Sequence, residues 1–227
     1  MSISSNLAEI LDKINTAAEK TGRSPDRIRL VAVSKTKPAT MIEDALAAGQ
    51  SLFGENYVQE FAAKAKEIRS TVEWHFIGHL QTNKVKYIAG LTAMIHSVDR
   101  LSLAEEINRQ WAKIGEICEI LIQVNVSGEA TKSGTTYKEA INLVKEVSLL
   151  KNLRICGLMT MPPFFDDPDG ARPYFSGLRI LSKEIESLNI PNVSMKELSM
   201  GMSGDFEVAI EEGATLVRVG SAIFGGR

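Results

Sequence analysis

The chain has 227 residues, 44% of them hydrophobic and 24% charged, with a formal net charge of -2. That length suits one α/β barrel or two small domains and is long enough to bury a full core without disulfide or metal staples. Acids and bases are interleaved and nearly balanced, which gives no electrostatic case for nucleic acid or an anionic membrane as a partner.

Two cysteines, Cys118 and Cys156, each lie in an apolar run and read as buried thiols. Neither belongs to a CxxC pair or a Cys/His cluster, so no zinc site is expected. The N-terminus lacks a basic segment followed by an apolar one, and no apolar run approaches a membrane span. The expectation is a cytoplasmic protein in a reducing compartment.

In chain order, an amphipathic helix comes first, with Leu7, Ile10, Leu11, Ile14 and Ala18 at helical spacing and Gly22 as its stop. Short apolar runs then alternate with helical patterns. The predicted strands are Ile28–Ser34, Ser51–Gly54, Val72–Ile77, Ala93–Ser97, Cys118–Val124, Leu153–Gly157, Asn192–Lys196 and Thr215–Val219, the seventh carrying the weakest pattern. Helices are predicted over Met41–Ala48, Tyr57–Arg69, Leu101–Lys113, Tyr137–Leu149, Gly170–Leu188 and Phe206–Glu212. Ile28–Ser34 and Cys118–Val124 are apolar nearly throughout, as strands covered on both faces should be. Eight β/α alternations without a composition break predict one (β/α)8 TIM-type barrel over residues 1–227, with an extra N-terminal helix. The competing fold is an open doubly wound sheet. Its Gly-rich turn is missing, since Ser34-Lys35-Thr36-Lys37-Pro38 follows the first strand.

Polar residues gather just after the strands, at the face where barrels of this kind carry their sites. Lys35 follows Leu30-Val31-Ala32-Val33, and alternation puts Val31, Val33 and Lys35 on one face. An amine leaving an apolar wall is partly desolvated and suited to attack an aldehyde; the alternative is a rim lysine with its stem on the barrel. Lys37 is expected to be exposed. Gly220 and Ser221 open a last short helix, and small residues there leave backbone N–H groups for a phosphate. Ser199 and Gly201, after the seventh strand, add a hydroxyl and close backbone approach, although ordinary turn chemistry also fits. Arg218 points to the face opposite Val217 and Val219. Buried there it needs a partner, either an acceptor such as a pyridine nitrogen or a barrel acid such as Glu55. His75 and His96 read as structural, while His79 in Gly78-His79-Leu80-Gln81 is a candidate for the pocket.

The stretches VAVSKTKP (31–38), FGENYVQE (53–60), WHFIGHLQTNK (74–84), QVNVSGEATKSG (123–134), GLMTM (157–161), LSMGMSGDFEVAI (198–210) and VRVGSAIFG (217–225) together resemble the pyridoxal phosphate homeostasis protein family, also called the YggS/PROSC family. The resemblance runs over nearly the whole chain. It implies the barrel of alanine racemase and of the fold-type III decarboxylases, with pyridoxal 5′-phosphate (PLP) held as a Schiff base on Lys35. It further implies Arg218 at the pyridine nitrogen, Ser199, Met200, Gly201, Gly220 and Ser221 around the phosphate, and Asn56 near the ring. The implied role is in PLP (vitamin B6) and amino-acid homeostasis without evident turnover, in a monomer, with PLP-dependent apoenzymes or amino acids as transient partners. A pyridine nitrogen facing an arginine stays unprotonated and makes the ring a poor electron sink. The sequence stops soon after the eighth strand, so the second domain and second base of the racemases are not expected. Three readings compete: a small PLP-dependent racemase or decarboxylase, an aldolase using Lys35 without PLP, and a regulatory module that meets a protein partner.

Overall fold

The computed structural model describes residues 2–68, 70–129 and 132–226. Helix α1 (Ile3–Lys20) leads, capped by Ser2, whose hydroxyl accepts the Ser5 N–H while the Ser5 hydroxyl returns the contact. The strands follow as β1 (Arg29–Val33), β2 (Leu52–Glu55), β3 (Glu73–Phe76), β4 (Met94–Val98), β5 (Cys118–Asn125), a two-residue β6 (Thr135–Thr136), β7 (Leu153–Met159), β8 (Val193–Ser199) and β9 (Leu216–Val219). The helices between them are α2 (Ala39–Ala47), α3 (Val58–Glu67), α4 (Leu101–Ile114), α5 (Tyr137–Val147), α6 (Arg172–Ser187), α7 (Phe206–Glu211) and α8 (Ser221–Phe224).

All pairings are parallel, and the order β1-β2-β3-β4-β5-β7-β8-β9 closes through β9 onto β1, with Val31 opposite Arg218. This is the expected eight-stranded barrel; β6 is an accessory strand on the end of β5. Between β3 and β4 the outer layer is a 3₁₀ turn over Thr82–Tyr87. Most predicted boundaries shift by one to three residues. β7 and β8 run two and three residues past the predicted ends at Gly157 and Lys196, and α6 starts at Arg172 because Pro168–Ala171 forms a 3₁₀ turn. Arg69, the predicted end of the third helix, lies outside the described residues.

Two apolar layers hold the barrel. The larger lies between strands and helices and contains Phe53, Phe61, Phe76, Trp111 and Phe175. The smaller fills the interior with Val31, Leu52, Met94, Leu121, Cys156, Met159 and Leu216. Cys118 and Cys156 are both buried and free, as expected, and burial raises both thiols, Cys156 to about 12. Among the described residues no helix is long and apolar enough to cross a membrane.

Candidate functional site

Alternation along β1 turns Arg29, Val31 and Val33 inward, and Lys35 continues that face beyond the strand end. Lys35 is half-buried and lines a cavity of about 410 Å3 with Val33, Met202, Ser203, Gly220 and Ser221. The cavity lies at the C-terminal end of the strands, where the chain's polar residues were expected to converge.

The turn carrying Lys35 is clamped from below. Lys64 Nζ, buried on α3, donates to Ser34 O (2.7 Å), Glu55 Oε1 (2.7 Å) and Glu60 Oε1 (2.6 Å). The Ser34 hydroxyl donates to Glu55, and the Thr36 N–H to Glu60. Thr36 takes a left-handed conformation at φ 64°, which this grip on both sides of Lys35 sustains. Burial raises the Glu55 carboxyl, and Lys64 counteracts that shift. Glu55 is therefore Lys64's partner, and the considered Glu55–Arg218 ion pair does not form. Lys37 is also half-buried and donates to Gly226 O at 2.8 Å, so the expectation of an exposed side chain fails.

The loop after β8 reaches the cavity later in sequence than expected. Because β8 runs on to Ser199, the residues that meet the cavity are Met202 to Asp205. Ser203 Oγ accepts the Gly220 N–H (3.4 Å) and the Ser221 hydroxyl (3.2 Å), gathering small polar groups from both loops. Asp205 Oδ1 accepts the Met202 N–H at 2.6 Å and ties the loop back on itself. Of the residues expected here, Gly220 and Ser221 line the cavity, while Ser199, Met200 and Gly201 do not. Met200 is buried in the outer layer with its N–H on Leu216 O. Gly201 is needed for packing: at φ +90° a Cβ would lie 2.6 Å from Ala209 Cβ and 2.9 Å from Phe206 Cα.

Ser199 is fully buried, and its oxygen accepts Arg218 Nη1–H at 2.5 Å. Arg218 Nη2–H donates to Thr160 O at 2.9 Å. Among the described residues the guanidinium thus has a hydroxyl and a carbonyl as acceptors and no bonded carboxylate. Its pKa is lowered to about 10 by burial, so it remains a cation at neutral pH. Asn56 Oδ1 is buried without a partner, and Gly78 packs so closely that a Cβ there would sit 2.2 Å from Asn56 O. His79 is exposed, and it, Arg218 and Asn56 all lie outside the residues that line the cavity. His75 and His96 join end to end in the barrel interior, Nδ1 to Nε2 at 2.9 Å, and His96 Nδ1 meets Ser199 Oγ at 2.9 Å.

Sequence reasoning missed Ser203 and Gly204. The signal available was the Ser203-Gly204 dipeptide inside LSMGMSGDFEVAI, hidden by placing the strand end three residues early.

The alanine racemase N-terminal domain family matches residues 5–227. A pyridoxal phosphate homeostasis protein of Aquifex aeolicus is 44% identical over 228 residues, covering 100% of this chain and 99% of that protein. The structure of PipY from Synechococcus elongatus with PLP bound is 34% identical, covers 99% of this chain and 100% of that one, and superposes with a TM-score of 0.86. An alanine racemase of Clostridium difficile shares the fold at 15% identity with a TM-score of 0.76, matching 57% of its own length. The match spans the chain nearly from end to end, and the chain belongs to the pyridoxal phosphate homeostasis protein family within the alanine racemase N-terminal domain family.

Proposed function

We propose that this chain holds PLP through Lys35 and serves PLP homeostasis without appreciable turnover of amino acids. The observation that carries this reading is Lys35 on the wall of a cavity where the loops after β8 and β9 gather Ser203, Gly220 and Ser221, in a chain aligned over its length with a PLP-bound relative. PLP supplies an aldehyde for the lysine, a phosphate and a ring nitrogen. The residues present fit each: an amine leaving an apolar wall, two small-residue loops, and a buried arginine with no bonded carboxylate. In this reading Lys35 is the covalent anchor, Ser203, Gly220 and Ser221 receive the phosphate, Arg218 faces the ring nitrogen, and the unpartnered Asn56 Oδ1 lies near the ring. Ser199 supports Arg218 rather than the phosphate.

A racemase needs a proton-transfer group on each face of the ring. Among the described residues, the titratable side chains lining the cavity besides Lys35 are Lys37, engaged with Gly226 O, and Asp205, engaged with the Met202 N–H. That supports binding and exchange of PLP, with apoenzymes or amino acids as transient partners, over carbanion chemistry. Borohydride trapping and peptide mapping are expected to place the pyridoxyl group on Lys35; recovery on Lys37 overturns the assignment. Incubation with L-amino acids in deuterated water is expected to give no α-deuteration at enzyme-like rates. Steady exchange that is lost in Lys35→Ala would establish an enzyme instead. The same preparation is expected to sediment as a monomer at low micromolar concentration.

A further inference from the structure

We propose that Arg218, Ser199, His96, His75 and Glu73 form a relay through the barrel, in which the last four act as positioning residues for Arg218 and couple it to the opposite end of the fold. The links are Arg218 Nη1 to Ser199 Oγ (2.5 Å), Ser199 Oγ to His96 Nδ1 (2.9 Å), His96 Nε2 to His75 Nδ1 (2.9 Å) and His75 Nε2 to Glu73 Oε1 (3.1 Å). Arg29 closes the far end on Glu73 Oε2 at 2.6 Å. Ser199, His96 and His75 are each 1% exposed or less, whereas the Glu73 side chain is 39% exposed at the start of β3. The chain thus runs from the cofactor end of the interior to the N-terminal rim.

The chemistry fixes the direction of every hydrogen. Glu73, held down to about 2 by His75 and Arg29, accepts only. His75 Nε2 must then donate, so its Nδ1 accepts from His96 Nε2–H. His96 Nδ1 accepts the Ser199 hydroxyl, leaving the Ser199 lone pairs for Arg218. Both imidazoles are neutral in this arrangement, and burial lowers both, with His75 and Arg218 lowering His96 further. One pattern of donors satisfies the whole chain and ends on a carboxylate, which polarises each link. Stability alone does not account for it, because apolar side chains of similar shape in this interior would serve as well.

The inference rests on Arg218 facing the ring nitrogen. It adds that the aim of Arg218 is set by Ser199 and that an acceptor placed on Arg218 is felt at His75. The test uses 15N-labelled full-length protein with and without PLP. In the parent chain, PLP is expected to shift the imidazole 15N signals of both His96 and His75. In Ser199→Ala, PLP still attaches to Lys35, its affinity falls by about 10-fold, as for a lost charge-assisted hydrogen bond, and His75 no longer responds. Glu73→Gln, which keeps shape at a half-exposed position, guards against a folding defect. It is expected to move the visible absorption of bound PLP in the same direction as Ser199→Ala. If Arg218→Ala changes that absorption while Ser199→Ala and Glu73→Gln do not, and His75 is silent in the parent chain, the relay is wrong and the Arg218 reading stands. If Arg218→Ala leaves absorption and affinity unchanged, the reading beneath it fails.

Discussion

At the scale of single residues, the side chains that build the cavity are held in place by hydrogen bonds to neighbours beneath and beside them. Lys35 has its backbone gripped on both sides through Lys64, Glu55 and Glu60, and Ser203 is fixed by the two groups it accepts from. A phosphate meeting Ser203, Ser221 and the Gly220 N–H would replace weak contacts of 3.2 to 3.4 Å with charge-assisted ones. The double change Ser203→Ala and Ser221→Ala is therefore expected to weaken PLP retention by about 10-fold or more, at roughly 1.5 kcal/mol or more in total. Ser203 is half-exposed in a loop and Ser221 is exposed at the start of α8, so the urea midpoint is expected to stay where it is. Equilibrium dialysis of PLP beside urea unfolding separates the two effects; unchanged retention would place the phosphate elsewhere.

At the scale of elements, strand alternation was the most informative pattern in the sequence. It turned Lys35 and Arg218 to the inner face before any coordinates, and both are there. It failed where a strand is not apolar. Val193-Ser194-Met195-Lys196-Glu197-Leu198-Ser199 mixes charges into a barrel strand because Glu197 accepts the Thr215 hydroxyl and Ser199 serves Arg218. Those polar duties disguised the end of β8 and displaced the expected loop residues. Register then explains Gly201, which leaves β8 at φ +90° with its surface pressed on α7. Gly201→Ala is expected to cost about 2 kcal/mol or more, from left-handed strain together with contact against Phe206 and Ala209. The change should also loosen PLP, since the Gly201 carbonyl accepts the Arg218 N–H at 3.0 Å. Urea unfolding of the apo and PLP-loaded variant checks both parts, and a variant as stable as the parent would show that α7 moves aside freely.

At the scale of the whole molecule, the barrel interior is divided between an apolar cluster and a polar chain that spans it. Eight alternations pointed to the closed barrel, which is there, and the polar residues after each strand pointed to the end that carries the cavity. The polar chain was not legible, because His75 and His96 lie 21 residues apart and nothing local says that β3 and β4 face each other at that level. The same chain makes global stability depend on pH. Folding holds both imidazoles below their ordinary value of 6.5, chiefly by burial, so the unfolded chain binds more protons as pH drops below that value. The stability they contribute is complete above about pH 6.5 and is lost as pH falls toward their folded values. Glu73, lowered to about 2, adds a second loss that begins only near the ordinary carboxylate value of 4.5. Glu55 and Asp205, both raised by burial, work in the opposite sense. The urea midpoint is thus expected to fall between about pH 6.5 and 5, above the range where Glu73 begins to lose its charge. His96→Gln keeps a neutral amide at the centre of the chain and removes one of the two titrating rings. Its stability at neutral pH is expected to be lower than the parent's and its slope with pH in that window shallower, so that the two curves converge on the acid side. Parallel curves would show that His96 takes its proton in the folded barrel as readily as in the unfolded chain, and would remove the closed, neutral interior on which the relay depends.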